Sequence, residues 1–444
     1  MRVEREEDRL CLLGGHPDRI RDRIFRLLIF DGGRHMKRNT QMTRAAVPAS
    51  VQNGIGVHAD GRAYAQINPD EYRVVKSGVD SFLLFTVLSL LVFGLVMVFS
   101  ASYADAQARY GDSYYFIKRQ SVMVCIGLVF MIVASRIPLR MYKWAAVPAY
   151  IVSALLLVAV LFMGDEGGGA QRWIKFGSLR FQPSEIAKYA LILTLAWYYQ
   201  KYESKAFDFK DKRTSNLYGT LFPLCLIGLI CGLVMLEKHL SGIIIIGTIG
   251  LMVMFASGIR LKLLGAFGAV AVAGVAAMAL LTDYTKRRID IWLNPAAYPQ
   301  DGGWQTLQGM RAIGSGGFFG LGLGNSRQKF SYVSQPQNDF IYTIICEELG
   351  YIGAVAVIVL FGLLVWRGYV IAMRAPDRFA QLTAIGISSK IALQVLLNIA
   401  VVTNSLPNTG ISLPFFSYGG TAMVVQLIEV GTLLAISRYT VEKK

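Results

Sequence analysis

SRQKFSYVSQPQNDFIYTIICEELG, residues 326–350, decides how the chain is read. A polar segment runs through Asn338 and Asp339 straight into an apolar helix that carries Glu347 and Glu348 within its first turns. Ionisable groups at membrane depth are costly and are retained where they serve a function. Asp339 is therefore expected to be the catalytic group of a membrane enzyme. The remaining spans form the frame that brings a lipid-borne substrate to it.

The rest of the chain supports a membrane setting. Of its 444 residues 54% are apolar and 17% charged, against about 25% charged in soluble proteins. The apolar residues fall in runs of spanning length. The formal charge of +16 comes from Lys and Arg gathered in short loops between those runs, which is a topology signal. No basic stripe with interleaved aromatics lies outside the apolar runs, so nucleic acid is not an expected partner. Cys11, Cys125, Cys225, Cys231 and Cys346 lack metal or disulfide spacing, and three of the four histidines precede the first span, so no metal centre is expected.

Upstream and downstream of this stretch the chain reads as ten helices. Residues 1–79 are polar and without sustained apolar period, and are expected to be a flexible cytoplasmic extension. Spans follow at 80–100, 121–135, 144–163, 186–199, 216–236, 240–257, 264–282, 340–366, 381–403 and 420–438. Arg136, Arg140 and Lys143 after the second span, and Arg367, Arg374 and Arg378 after the eighth, place both termini inside. Residues 439–444 form a cytoplasmic tail. A long hydrophilic loop, 283–338, is expected outside, between helices seven and eight. Loops of this length are usually functional. It holds Lys286, Arg287 and Arg288 and the glycine-rich GLGLGNS, which is no nucleotide fingerprint because no βαβ unit surrounds it.

Three features bear on chemistry. Glu185 and Lys188 stand three residues apart on one face of the fourth span. Lys390, Gln394 and Asn398 recur every four residues in the ninth, a polar stripe that should face the bundle interior. Asp339 can act as a general base if it reaches an acceptor hydroxyl, while nearby cations stabilise a leaving diphosphate. That combination suits glycosyl transfer from a lipid diphosphate sugar.

At these residues the chain resembles the SEDS family of membrane peptidoglycan polymerases, relatives of RodA, FtsW and SpoVE. The matching stretches are GAQRWIKFGSLRFQPSEIAK (169–188), AIGSGGFFGLGLGNSRQK (312–329), NDFIYTIICEELG (338–350) and GISLPFFSYGG (410–420). The resemblance covers about residues 81–438 and is closest in wording to the FtsW and SpoVE branch. It implies an all-α integral membrane bundle of ten transmembrane helices that polymerises lipid II and releases undecaprenyl diphosphate. It puts the family's proposed catalytic aspartate on Asp339, and substrate contacts on Arg172, Glu185 and Lys188. Glu347, Glu348 and Lys390 are further candidates for substrate binding, with a structural role as the alternative for the two glutamates. It implies a class B penicillin-binding protein and other division proteins as partners, names no certain cofactor and leaves open a divalent cation. Two departures stand out. Where many members carry Gln-Pro-Asp-Leu-Gly, this chain has Glu237-Lys238-His239-Leu240-Ser241-Gly242, and the usual His-Thr before the aspartate is Gln337-Asn338. The rival readings are a lipid II flippase and a non-catalytic scaffold. A transporter would depend on cavity residues such as Lys390 rather than on Asp339.

Overall fold

The computed structural model describes residues 56–57, 63–64, 72–167, 170–176, 179–207, 211–237, 239–259, 283–299, 302–330 and 332–443, with isolated positions between 260 and 282. All belong to one compact unit that begins at Arg44. The principal helices are α1 (Ser81–Tyr110), α2 (Tyr115–Arg136), α3 (Leu139–Met163), α4 (Pro183–Lys201), α5 (Phe222–Leu236), α6 (Leu240–Ala256), α7 (Asp283–Leu293), α8 (Gly303–Ser315), α9 (Ile341–Met373), α10 (Arg378–Val402) and α11 (Gly420–Ser437). Among the described residues seven helical segments are long and apolar enough to cross a membrane: α1, α2, α3, the run Lys212–Leu236 that ends in α5, α9, α10 and α11. The chain is a mostly helical, multi-pass membrane protein. Nine of the ten expected spans coincide with a helix; the seventh, 264–282, lies outside the described residues apart from isolated positions.

The helix ends follow local chemistry. Asp80 caps α1 by accepting from the Leu83 backbone N–H at 2.9 Å, and its other oxygen meets Arg367 at 2.7 Å. α1 then runs ten residues past its expected end. The stretch 101–110 is polar but rich in alanine, a strong helix former, and Asp105 pairs with Arg109 one turn on. Gly111 stops the helix with φ 69°, its N–H bonded to the Gln107 carbonyl at 3.1 Å, as a left-handed C-terminal glycine does.

Besides a two-residue antiparallel pair, Gly56–Val57 with Ala63–Tyr64, two short sheets accompany the helices among the described residues. β1 (Tyr72–Lys76) pairs antiparallel with β5 (Tyr439–Lys443), so the segments leading into α1 and out of α11 form one ribbon. β2 (Asp165–Gly167), β3 (Ala170–Phe176) and β4 (Leu179–Phe181) form a three-stranded sheet between α3 and α4. The long segment 283–338, expected as one hydrophilic loop, contains α7 and α8.

Packing is closest where side chains are smallest. α2 lies along α11, and a Cβ on Gly431 would come within 2.5 Å of the Met131 carbonyl oxygen. α9 is broken at Gly350, whose φ 65° and ψ −163° are not helical. The break frees carbonyls in an apolar setting, where each needs a partner. The glycine-rich stretch supplies them: the N–H groups of Leu321 and Gly322 reach the carbonyls of Glu347 and Glu348 at 2.9 and 3.0 Å, and the Tyr351 N–H reaches Gly317 at 2.9 Å. GLGLGNS is thus a backbone cover for the kink. A Cβ on Gly350 would stand 2.3 Å from the Gly320 nitrogen. Gly350→Ala is expected to lower stability by at least ~1–3 kcal/mol from backbone strain alone; thermal unfolding in detergent micelles checks this, and an unchanged midpoint would refute the account of the kink.

Candidate active site

Eight of these elements and two connecting segments border a cavity of about 1060 Å³. Its walls come from the end of α1, the start of α2, β3, the starts of α4, α6 and α11, α7, the approach to α9, the second half of α10 and the segment 410–420. Asp339, Arg172, Glu185 and Lys188 all line it. Residues far apart in sequence therefore share one chamber.

Asp339 is held by its backbone. The buried Asn398 carboxamide donates both to the Asp339 carbonyl at 2.8 Å and to the Ile411 carbonyl at 2.7 Å. The approach to α9 is fixed by the Tyr418 N–H on the Gln337 carbonyl at 2.8 Å and by the Asn338 side chain on Gln335 at 2.6 Å. Gly410, with φ 68°, leaves only 3.4 Å between its ideal Cβ position and the Asp339 Oδ2. A side chain there would crowd the carboxylate. Burial raises the pKa of Asp339, while its own backbone N–H and the Arg288 guanidinium pull it back. Arg288 lies on α7 and bonds the Asn408 carbonyl at 3.0 Å.

The first matching stretch places its charged residues as the i, i+3 spacing requires. Lys188 Nζ and Glu185 Oε1 are 2.7 Å apart and both side chains are buried. Arg172 reaches the cavity from β3. Opposite this group, Lys118 and Arg119 at the start of α2 also line the wall, with the Arg119 guanidinium 4.3 Å from the Tyr115 ring centroid. Lys118 and Arg119 were not singled out from the sequence and carry no local signal, whereas Arg288 was noted in the basic triplet of the long loop and Gln337 as a departure beside Asp339, neither as part of a cavity wall.

Three candidates lie away from the cavity lining. Lys390, fully buried, pairs with Glu429 of α11 at 2.6 Å, also fully buried. Glu348 pairs with Lys329 at 2.8 Å and accepts from Ser100. Glu347 accepts from the Arg327 N–H at 2.9 Å and from the Ser326 hydroxyl. A buried charge needs a partner to be tolerated, and each of these has one. The two glutamates anchor the turn 326–329 to α9. Among the described residues no three His, Cys, Asp or Glu side chains gather as a metal-ligand set.

The walls keep acceptors in reserve. Glu185 Oε2, His239 Nδ1, Gln337 Oε1 and Gln394 Oε1 are buried and lack a hydrogen-bond partner, and all four residues line the cavity. Unmet acceptors in a concave, partly apolar site are places where ligand donors gain the most.

Because its folded-state pKa is raised, the Asp339 carboxyl binds more proton folded than unfolded over the window above its ordinary value of 3.8. Its ionisation therefore weakens the fold as pH rises through that window. Asp339→Asn removes the titration. The variant's melting temperature is expected to gain on wild type from pH 4 upward and to level off above the raised pKa. A difference that is flat or shrinks with pH would mean that the carboxylate is well solvated.

A family model described as cell cycle protein, FtsW/RodA/SpoVE, matches residues 81–442. The chain is 38% identical over 368 residues to stage V sporulation protein E of Bacillus subtilis, covering 82% of this chain and 98% of that protein. It is 37% identical over 363 residues to a "Probable peptidoglycan glycosyltransferase FtsW" of Geobacter sp. strain M18, covering 81% and 97%. The fold matches a solved structure named for the structural coordination of polymerization and crosslinking by a peptidoglycan synthase complex, with TM-score 0.68, 28% identity and coverage of 81% and 98%. It also matches the rod shape determining protein RodA of Thermus thermophilus, with TM-score 0.61, 28% identity and coverage of 81% and 97%.

Proposed function

We propose, because this chain belongs to the FtsW/RodA/SpoVE family of cell cycle proteins, that it is a peptidoglycan glycosyltransferase that polymerises lipid II into β-1,4-linked glycan strands. The observation that carries the reading is the half-buried carboxylate of Asp339 in a cavity that Arg172, Lys188 and Arg288 also line. The relatives named as glycosyltransferases support it.

The chemistry follows from this arrangement. The Asp339 carboxylate takes the proton of the acceptor sugar's 4-hydroxyl as its oxygen attacks the donor's anomeric carbon. The bond from that carbon to the diphosphate oxygen breaks, with inversion, and undecaprenyl diphosphate leaves. Negative charge grows on the leaving group, where Arg172 and Lys188 are positioned to meet it. Glu185 holds Lys188 in place. Desolvation makes Asp339 a stronger base than an exposed carboxylate, and Arg288 opposes part of that shift.

The same reading extends to setting and partners. The basic loops orient both termini to the cytoplasm, and the cavity then opens outside, where lipid II is consumed. A class B penicillin-binding protein crosslinks the strands, and the likeness to a peptidoglycan synthase complex supports that pairing. The reading keeps the expected count of ten transmembrane helices. Glu347, Glu348 and Lys390 act on the substrate indirectly, by holding the turn 326–329 and the α10–α11 contact.

Polymerisation of labelled lipid II by purified protein, with a crosslinking-inactive partner, tests the proposal. Wild type is expected to yield long glycan strands and Asp339→Asn none, with both folded. Equal product from both would remove Asp339 as the base, and absence of polymer alongside lipid II transport would favour a flippase. In wild type kcat/KM is expected to rise with pH through the raised pKa of Asp339, since only the carboxylate accepts a proton. Asn398→Leu should lower kcat ~10- to 100-fold by letting the base shift while leaving KM for lipid II nearly unchanged; a change confined to KM would contradict the clamp.

A further inference from the structure

The polar stripe of α10 holds three side chains one turn apart, and the structure gives each a different fate. Lys390 is neutralised by Glu429 at 2.6 Å. Asn398 spends its Nδ2 on the carbonyls of Asp339 and Ile411, with its Oδ1 left unpaired. Gln394 lies between them, 1% exposed, and lines the cavity. Its Oε1 has no hydrogen-bond partner, and its Nε2 makes no hydrogen bond to any described residue. A carboxamide this deep in the bundle, with neither end engaged, is an exception to the rule that buried polar groups are paired.

Leaving such a group unmet costs free energy that a ligand recovers on binding. Leucine would fill the same place at no polar cost, so folding alone does not explain the amide. Its position narrows the ligand. Four residues, about 6 Å along the axis, separate Gln394 from Asn398, and Asn398 touches the residue that bears the base. The group that Gln394 meets is thus about one sugar ring away from the reacting hydroxyl or anomeric carbon. A primary carboxamide offers one acceptor and one donor side by side, which matches the N–H and C=O of an acetamido substituent.

We infer that Gln394 is a specificity-determining residue that reads the 2-acetamido group of an amino sugar held beside Asp339. This rests on the glycosyltransferase reading of the cavity. It adds a discrimination step: a lipid-linked sugar with a plain hydroxyl at that carbon leaves one end of the amide unpaired and binds more weakly. His239 and Gln337, whose unmet acceptors face the same chamber, receive hydroxyl donors from the sugars and do not distinguish the acetamide.

The experiment measures equilibrium binding, so that turnover does not enter. Detergent-solubilised full-length Asp339→Asn protein is titrated with lipid II and with an analogue whose 2-acetamido groups are replaced by hydroxyls. Lipid II is expected to bind about tenfold more tightly, a difference of about 1.4 kcal/mol. Adding Gln394→Leu should abolish the preference by weakening lipid II binding alone. Gln394→Glu, which keeps an acceptor but loses the amide donor, should retain a smaller preference and serves as the test if the leucine variant does not fold. A preference that survives in the leucine variant, or in the glutamate variant at full size, overturns the assignment, as does the lack of any preference in the parent. Polymerisation by otherwise wild-type protein is scored separately: strands with an unchanged preference in Gln394→Leu would sink this inference alone, whereas a Gln394-dependent preference without strands would sink the polymerase reading alone.

Discussion

The site depends on one carboxamide. Asn398 donates to the carbonyls of Asp339 and Ile411, and so ties the approach to α9 to the segment that leads into α11. Neither stretch is helical at that point, and each has carbonyls that would otherwise go unmet in a buried setting, where an unmet group costs on the order of 1–3 kcal/mol. The bond that satisfies them also fixes where the Asp339 carboxyl stands. Stability and placement of the carboxylate therefore have the same cause.

A similar logic governs the charges. Among the described residues two ion pairs are fully buried, Lys390 with Glu429 and Lys329 with Glu348, and both lie off the cavity lining. Such pairs add little net stability over apolar residues, but losing one partner leaves an isolated buried charge and costs several kcal/mol. They are better understood as fixing which helix faces meet. Lys390 and Glu429 hold α10 to α11, and Lys329 and Glu348 hold the turn 326–329 against α9. A third buried pair, Glu185 with Lys188, lines the cavity, where the proposed diphosphate would compete for the lysine.

The spans were legible because apolar runs of spanning length have few other uses in a chain with this composition. Their ends were not. The extension of α1 to Tyr110 depends on alanines and an i, i+4 pair, which hydropathy does not register. α8 was hidden because the residues on its packed face include Thr306, Gly309 and Ala312, small side chains that form no apolar stripe; a Cβ on Gly309 would stand 2.9 Å from the Phe340 ring. The ribbon of β1 and β5 joins residues more than 360 positions apart, a pairing that no local pattern announces. Within the site, Asp339, Glu185, Lys188 and Arg172 were readable as charges beside apolar runs. Glu347, Glu348 and Lys390 gave the same signal while serving the scaffold, because burial and spacing look alike whether the partner is a ligand or another side chain.

The departure at His239 shows how the chamber's charge is set. An acid at that position would add a negative charge to the wall. A histidine would seem to reverse it, but burial, with Arg172 and Lys188 nearby, pushes the His239 pKa down to about 3, so the imidazole is neutral at physiological pH. Glu237, at the same break between α5 and α6, is pushed up to about 8 by burial, with Arg172 opposing, and is largely protonated there as well. The break therefore brings no carboxylate charge to Arg172 at neutral pH. A neutral imidazole also keeps its buried Nδ1 as an acceptor, which a protonated ring could not do. The replacement exchanges an anionic wall for a neutral, hydrogen-bonding one. That leaves the cationic side of the chamber stronger, as the proposed binding of a diphosphate requires.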